Sequence, residues 1–343
     1  MNVELEQLQT IATGTVKILK ENGGICFHRF TKEQEELFKN TEDFALLLSP
    51  AGIKLHFNTN STKIVLKGLT EQVSKVRSFY CIDIVKDGKL LDCIKNYDEL
   101  NIGPKYSEKE YETGYFSKEI SLGNGFKNIE IHLPYSVKFT LYKMELDENA
   151  VIEPIKYKKK LLAYGDSITH GFDALHPSQR YTSKLCNMLN AEEYNKGIGG
   201  TKFNPLLARL HDGITPNYIT VAYGTNDLWD YNQCDFRRNV RDFFQNLAKN
   251  YPAAQIFAIS PIWRADMVEN HTFGSFNNIG DIMAEEASKI NNTVYINGTD
   301  FIPHESECFG DGFLQPNDAG FEFYSQKLYK LIVSAEDVLP RKK

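Results

Sequence analysis

The sequence predicts an α/β chain in two parts, an antiparallel β-sandwich of jelly-roll kind followed by an α/β domain built on a parallel sheet. Two observations carry this. Up to about residue 152 the apolar residues alternate with polar ones in short segments, the period of half-buried strands. Beyond about residue 158 the strands become continuous apolar runs separated by helical stretches, as in a parallel sheet covered on both faces.

In the first part, residues 1–152, Ile53-Lys54-Leu55-His56-Phe57, Ile129-Glu130-Ile131-His132-Leu133 and Val137-Lys138-Phe139-Thr140-Leu141-Tyr142 alternate strictly, and Lys63-Ile64-Val65-Leu66 is a short β-branched run. Lys86-Asp87-Gly88-Lys89 reads as a hairpin, because Asp-Gly supplies the positive φ of a tight primed turn. A helix is expected over residues 32–40. Residues 149–160, which include Lys158-Lys159-Lys160, read as a linker. In the second part, residues 158–335, four strands are expected at 161–164, 218–223, 255–260 and 294–296, with helices at 183–190 and 236–250 between them. Sites in such sheets lie beyond the carboxyl ends of the strands.

Bulk properties narrow the function. The 343 residues carry a formal net charge of -6 and 24% charged residues, a globular balance without the cationic surplus that phosphate neutralisation needs. No nucleic acid is expected as partner. The short Arg341-Lys342-Lys343 tail reads as a solvated end. No apolar stretch is long enough for a bilayer, so no membrane partner is expected. Six scattered cysteines without a C-x-x-C pair suggest a reducing compartment, and with no secretory signal pattern in the first residues the cytoplasm is the expected location. Histidines and acids show no ligand spacing, so neither metal nor cofactor is expected.

Four motifs remain. Gly165-Asp166-Ser167-Ile168-Thr169-His170-Gly171 follows a strand and opens a helix, exposing a hydroxyl beside backbone N–H groups that can hold an oxyanion. Asn195-Lys196-Gly197-Ile198-Gly199-Gly200-Thr201 is a glycine-rich turn. Gly224-Thr225-Asn226-Asp227 sets an amide at the next strand end, and Asp311-Gly312-Phe313-Leu314-Gln315-Pro316-Asn317 precedes the last helix. Singly, each reads as a cap or a turn. In this order, three of them at strand ends, they form a set.

That set resembles the SGNH/GDSL hydrolase superfamily over nearly all of residues 160–335, with an SGNH-type three-layer α/β/α fold implied. The resemblance implies Ser167 as nucleophile, and an oxyanion hole made of the Ser167 and Gly200 backbone N–H groups and the Asn226 side chain. It also exposes a departure. The family ends on Asp-x-x-His, but Gln315 stands at the histidine position and Asp311 lies four residues before it rather than three. A glutamine amide can neither take nor return a proton near neutral pH. Three explanations stand: a deliberate inactivating change, since the codons differ by one nucleotide; a natural binding protein that lost its chemistry; or a different base. His304 is the best spare, and His170 is expected at the rim. The intact nucleophile and oxyanion motifs favour the first.

The β-sandwich ahead of an SGNH domain resembles two-domain carbohydrate acetyl esterases, which implies a short-chain ester, most simply acetyl, on a small molecule or oligosaccharide. Tyr223, Trp229, Trp263 and Arg264 are candidate substrate-binding residues. The alternative is a non-catalytic carbohydrate-binding protein derived from such an esterase. A long acyl pocket is disfavoured, because residues 266–278 are largely polar. The sequence does not reach the oligomeric state.

Overall fold

The computed structural model describes residues 1–74, 76–103, 105–266 and 273–338, so the basic tail and residues 267–272 of the polar segment lie outside the described residues. The chain forms two compact units, Met1–Tyr157 with Leu175–Ser178, and Lys158–Ala174 with Gln179–Lys343.

The first unit contains strands β1 (Ala12–Thr13), β2 (Lys17–Glu21), β3 (Gly24–His28), β4 (Lys54–Thr59), β5 (Lys63–Gln72), β6 (Cys81–Lys86), β7 (Lys89–Lys95), β8 (Tyr115–Ser121), β9 (Lys127–His132), β10 (Val137–Leu146) and β11 (Glu153–Pro154). Short helices α1 (Leu5–Ile11), α2 (Lys32–Phe38) and α3 (Phe44–Leu47) join them. The strands make two antiparallel sheets, in the orders β1-β4-β9-β6-β7, with β11 also on β4, and β2-β3-β10-β5-β8. This is the expected sandwich. Alternation supplies its core: Ile64 and Leu66 of β5, Phe139 and Leu141 of β10, and Leu55, Phe57, Ile129 and Ile131 of β4 and β9 interleave. Each such side chain contributes about 1.5–3 kcal/mol on burial. The hairpin turn forms as expected, with Asp87 and Gly88 at φ 49° and 76°. Thr31 and Gln34 close a reciprocal capping box at the start of α2.

Two expectations change. Residues 149–160 are not a plain linker: β11 pairs with β4, and Lys159 and Lys160 already belong to the first strand of the second unit. The polar face of β4 and β9 is also not simply solvated. Lys54, His56, Glu130 and His132 are all buried there, with Lys54 Nζ 2.5 Å from Glu130 Oε2 and His132 Nε2 3.3 Å from the same oxygen. Burial, with the Lys54 charge beside it, lowers the His56 pKa to about 4.

The second unit holds β12 (Lys159–Gly165), β13 (Ala191–Gly197), β14 (Tyr218–Ala222), β15 (Gln255–Ile259) and β16 (Thr293–Ile296), all parallel in the order β13-β12-β14-β15-β16. Its helices are α4 (Ser167–His170), α5 (Tyr181–Leu189), α6 (Pro205–Arg209), α7 (Asp227–Asp230), α8 (Gln233–Asn250), α9 (Asn277–Ala287) and α10 (Asp318–Val338). Helix α5 packs with α10, and α8 with α6 and α9, the two groups that right-handed crossovers place on opposite faces when the order reverses after β13. Leu161, Leu162, Ala163 and Tyr164 of β12 are fully buried, as their unbroken apolar run requires. Among the described residues, no helix is long and apolar enough to cross a membrane.

Strand β13 was not legible as a strand. Its sequence, Ala-Glu-Glu-Tyr-Asn-Lys-Gly, is polar, yet Glu193, Asn195 and Lys196 are buried. Their partners explain this: Arg180 Nη1 lies 2.9 Å from Glu193 Oε1, and Lys196 Nζ lies 3.2 Å from Asp212 Oδ2.

Candidate active site

The register of the three central strands builds the site. Gly165, the last residue of β12, pairs with Gly197 on one side and Ala222 on the other. The loops bearing Ser167, Gly200 and Asn226 therefore leave the sheet side by side, at its carboxyl edge.

Ser167 opens α4, capped by Asp166, whose carboxylate accepts from the Ile168 N–H at 3.0 Å. The turn is packed so closely on β13 that a Cβ on Gly197 would lie 2.3 Å from His170 N and 2.6 Å from Thr169 C, backbone atoms that cannot swing away. Asn195 Nδ2 secures the same turn by donating to Thr169 O at 2.7 Å. Gly200 sits at φ 81°, a conformation that favours glycine. Among the described residues, no backbone acceptor takes the N–H of Ser167 or of Gly200. Asn226 Nδ2 donates to Thr201 O at 3.1 Å, which holds its amide against the Gly200 turn.

Gln315 comes from the loop before α10. Asp311 Oδ1 accepts from the N–H groups of Phe313, Leu314 and Gln315 at 2.9–3.0 Å, and Gly310 N donates to Gln315 O at 2.8 Å. The loop so formed directs Gln315 Nε2 to Ser167 Oγ at 2.9 Å. Gln315 Oε1 is buried with no hydrogen-bond partner among the described residues. Asp311, a catalytic candidate whose four-residue spacing from Gln315 departs from the family pattern, organises the backbone here; its Oδ1 is occupied by three amides.

The contacts described for the two spare histidines lie elsewhere than Ser167. His170 is fully buried rather than at the rim, with its Nδ1 accepting from Gly199 N at 3.3 Å and its ring beside Phe172. His304 stacks on Trp263 at 4.8 Å and lies 3.3 Å from both Asp300 Oδ1 and Thr299 O.

The aromatic candidates divide. Tyr223 is core, packed on Phe203 and Phe243, because the residue before Gly224 still faces the helices rather than the cleft. Trp229 is 51% exposed, with the Arg264 guanidinium 5.9 Å from its ring centroid. Trp263 is half-buried between His304 and Phe309. Arg264 is buried and engaged: its Nε and Nη2 hold Asp266 at 2.5 and 2.7 Å, and its Nη1 reaches Thr225 Oγ1 at 3.0 Å. It positions the Thr225-Asn226 loop.

Two carboxyl groups that sequence reasoning did not single out lie under the site. Burial raises Asp166 to about 7, against the Ile168 N–H and the Arg264 charge. Burial raises Asp227 to about 7 as well, against the Phe203 N–H, with the Asp166 charge adding to the rise. Both stand in recognised motifs, as Gly-Asp-Ser and Asn-Asp, but nothing in the sequence distinguishes a buried carboxyl from a capping one.

The arrangement sets Ser167, the Gly200 turn and Asn226 on neighbouring loops at the carboxyl edge of the sheet, with the Gln315 amide on the Ser167 hydroxyl. Residues 163–323 match the family model "GDSL-like Lipase/Acylhydrolase family". No curated protein matches the chain in sequence. Among solved structures, the salicylyl-acyltransferase SsfX3 from a tetracycline biosynthetic pathway superposes with a TM-score of 0.79 at 19% identity, covering 96% of each chain. A family two carbohydrate esterase from Clostridium thermocellum, in complex with cellohexaose, superposes at 0.66 and 13% identity, covering 96% of this chain and 100% of its own. One from Cellvibrio japonicus does so at 0.66 and 13%, covering 98% and 97%. Fold, motif order and family match agree on the second unit: over residues 163–323 it is similar to the GDSL-like lipase/acylhydrolase family.

Proposed function

We propose that the site binds short-chain acyl esters, acetyl esters of oligosaccharides first, and that the chain as it stands turns them over very slowly because Ser167 has no general base. The observation that carries this is the 2.9 Å hydrogen bond from Gln315 Nε2 to Ser167 Oγ. The amide reaches the serine as a histidine would, but it cannot accept and return a proton. In the reaction this site is shaped for, Ser167 Oγ attacks the ester carbonyl and the alkoxide leaves. The oxyanion is held by the Ser167 and Gly200 N–H groups and Asn226 Nδ2, and water then releases the acyl group. Gln315 fills the one role in that sequence that needs a titrating group.

A carbohydrate substrate is supported by exposed Trp229, whose indole suits the apolar face of a sugar ring, and by the relatives whose structures are carbohydrate esterases. The six free cysteines suit a reducing compartment, and we place the protein in the cytoplasm, acting on imported oligosaccharides. The second reading, a carbohydrate-binding protein without chemistry, rests on the same Gln315.

The experiment is Gln315→His assayed with p-nitrophenyl acetate and acetylated xylo-oligosaccharides. General acid–base catalysis contributes roughly 10²–10⁴-fold, and hydrolysis should rise by at least that. A folded Gln315→His chain inactive on every short-chain ester, yet binding the oligosaccharides, would establish the binding protein instead.

A further inference from the structure

A second cluster of chemically able side chains lies in the N-terminal unit. Cys81 and Asp83 stand two apart on β6 and so share a face. Cys93 of β7 is directly across from Asp83 in the ladder, on that same face. His176 arrives from Leu175–Ser178, the segment that joins this unit from later in the chain, where Tyr97 Oη anchors it by donating to Leu175 O at 2.7 Å.

The spacing is that of a coordination shell. Cys81 Sγ is 3.2 Å from Asp83 Oδ1 and 3.7 Å from His176 Nδ1, and Nδ1 is 2.7 Å from Oδ1. Zinc bonds of about 2.3 Å to sulfur and about 2.0–2.2 Å to nitrogen and oxygen give tetrahedral edges of roughly 3.4–3.6 Å. Two of the three observed edges are within a few tenths of an ångström of that. The third is a hydrogen bond that an ion would replace and lengthen. Cys81, Asp83 and His176 are all buried.

The surroundings orient these atoms as ligands are oriented. His176 Nε2 lies 3.3 Å from Glu99 Oε1, a carboxylate–histidine arrangement that can hold the ring proton on Nε2 once an ion takes Nδ1. The N–H of Ser178 donates to Asp83 Oδ2 at 2.9 Å, leaving Oδ1 to the cluster. Lys95, opposite Cys81 in the ladder, supplies a positive charge beside the thiols.

We propose that Cys81, Asp83 and His176 form a three-ligand site for a thiophilic divalent cation, Zn²⁺ foremost, with water in the fourth position. Thiolate, imidazole and carboxylate together select zinc over calcium or magnesium, which take oxygen ligands. On loading, the Cys81 thiol releases its proton to solvent as the metal–sulfur bond forms, and the His176 ring proton resides on Nε2 facing Glu99. No electron is transferred. The ion fastens Leu175–Ser178 to β6 and β7, a structural role that leaves the ester chemistry to Ser167.

The test uses the full-length chain, stripped with a chelator and titrated with Co²⁺. One equivalent should bind with a thiolate-to-cobalt charge-transfer band and tetrahedral d–d bands, and one equivalent of Zn²⁺ should abolish both. Zn²⁺ should raise the melting temperature over that in chelator. Cys81→Ser should lose most of the charge-transfer band, and Cys26→Ser, at a buried thiol elsewhere in the unit, should retain it. Glu99→Gln should weaken binding by about 10–100-fold; because Glu99 is largely at the surface, this variant reports even where Cys81→Ser fails to fold. A folded chain without the band, a band unchanged in Cys81→Ser, or a Cys81–Cys93 disulfide in the resting protein would overturn the proposal.

Discussion

Gln315 donates to Ser167 across 2.9 Å, so the hydroxyl proposed as nucleophile meets a hydrogen-bond donor where the proposed hydrolysis needs an acceptor. Gln315→His should therefore change the kind of interaction at Ser167 while leaving its position intact. The restored activity should depend on one ionisation near roughly 6–7, rising with pH as the imidazole becomes neutral. Ser167→Ala in that background should remove it. His304→Ala should leave it unchanged, since His304 is held by Asp300, Thr299 and Trp263. Steady-state hydrolysis of p-nitrophenyl acetate across pH 5–9 reads all three; loss of activity in the His304 variant would assign the base to His304.

Asp311→Ala leaves three backbone N–H groups without their acceptor. Unsatisfied buried donors cost about 1–3 kcal/mol each, but this loop is partly open to water. A total loss of about 1–3 kcal/mol in urea unfolding is expected. In the Gln315→His background kcat should fall more than KM, because the loop aims residue 315 rather than the substrate.

Gly197→Ala places a methyl against the backbone of the nucleophile turn. Overpacking of this kind costs about 1–3 kcal/mol, and here the obstructing atoms are main-chain atoms of Thr169 and His170. A lowered melting temperature together with weakened Gln315→His activity is the expected pair. A variant as stable as its parent would mean the turn can lift from β13 freely.

Asp227 sets a pH dependence on stability. Its folded pKa is raised to about 7 from a usual value of 3.8, so between those values the folded chain binds the extra proton. The stabilisation is present in full below about 3.8 and is lost as pH rises through about 7. Asp227→Asn should flatten the decline in urea midpoint between pH 5 and pH 8. Parallel profiles for the two chains would show that the carboxyl is ionised throughout.

His56 acts in the opposite sense. Its folded pKa is lowered to about 4 from 6.5, so the unfolded chain binds the proton first and stability falls as pH drops from about 6.5 to 4. His56→Gln should make melting of the chain less sensitive to acid over that window, as followed by circular dichroism.

What the sequence disclosed depended on whether a residue's environment follows from its neighbours along the chain. The Asp87-Gly88 turn and the apolar run of β12 are local, and both could be read. Asn22-Gly23 carries the same turn signal between β2 and β3, with φ 48° and 80°, and could have been read by the same rule. Ser167 and Gln315 stood out because their motifs, taken in order, resemble a known set, one just after β12 and the other just before α10. Tyr223 misled, since a residue beside a motif need not face the cleft; its ring belongs to the Phe203 and Phe243 layer. Cys81, Asp83 and His176 could not be grouped, because a returning segment brings His176 to β6 from 95 residues beyond Cys81. Strand β13 was hidden by its polarity: what buries Glu193 and Lys196 is a partner on another element, and periodicity contains no record of partners.

Strand β13 is also the terminal strand of its sheet, where an unsatisfied margin invites another chain to add on. Glu193 and Asn195 point to one face, with Glu193 paired to Arg180, while Lys196 points to the other, paired to Asp212. A one-residue slip, or exchange of this strand for that of a second molecule, would turn every one of these groups away from its partner at once. Breaking a buried ion pair costs about 3–5 kcal/mol, far more than a misregistered apolar strand would lose. The charges that disguise β13 thus lock its register and discourage aggregation along that margin.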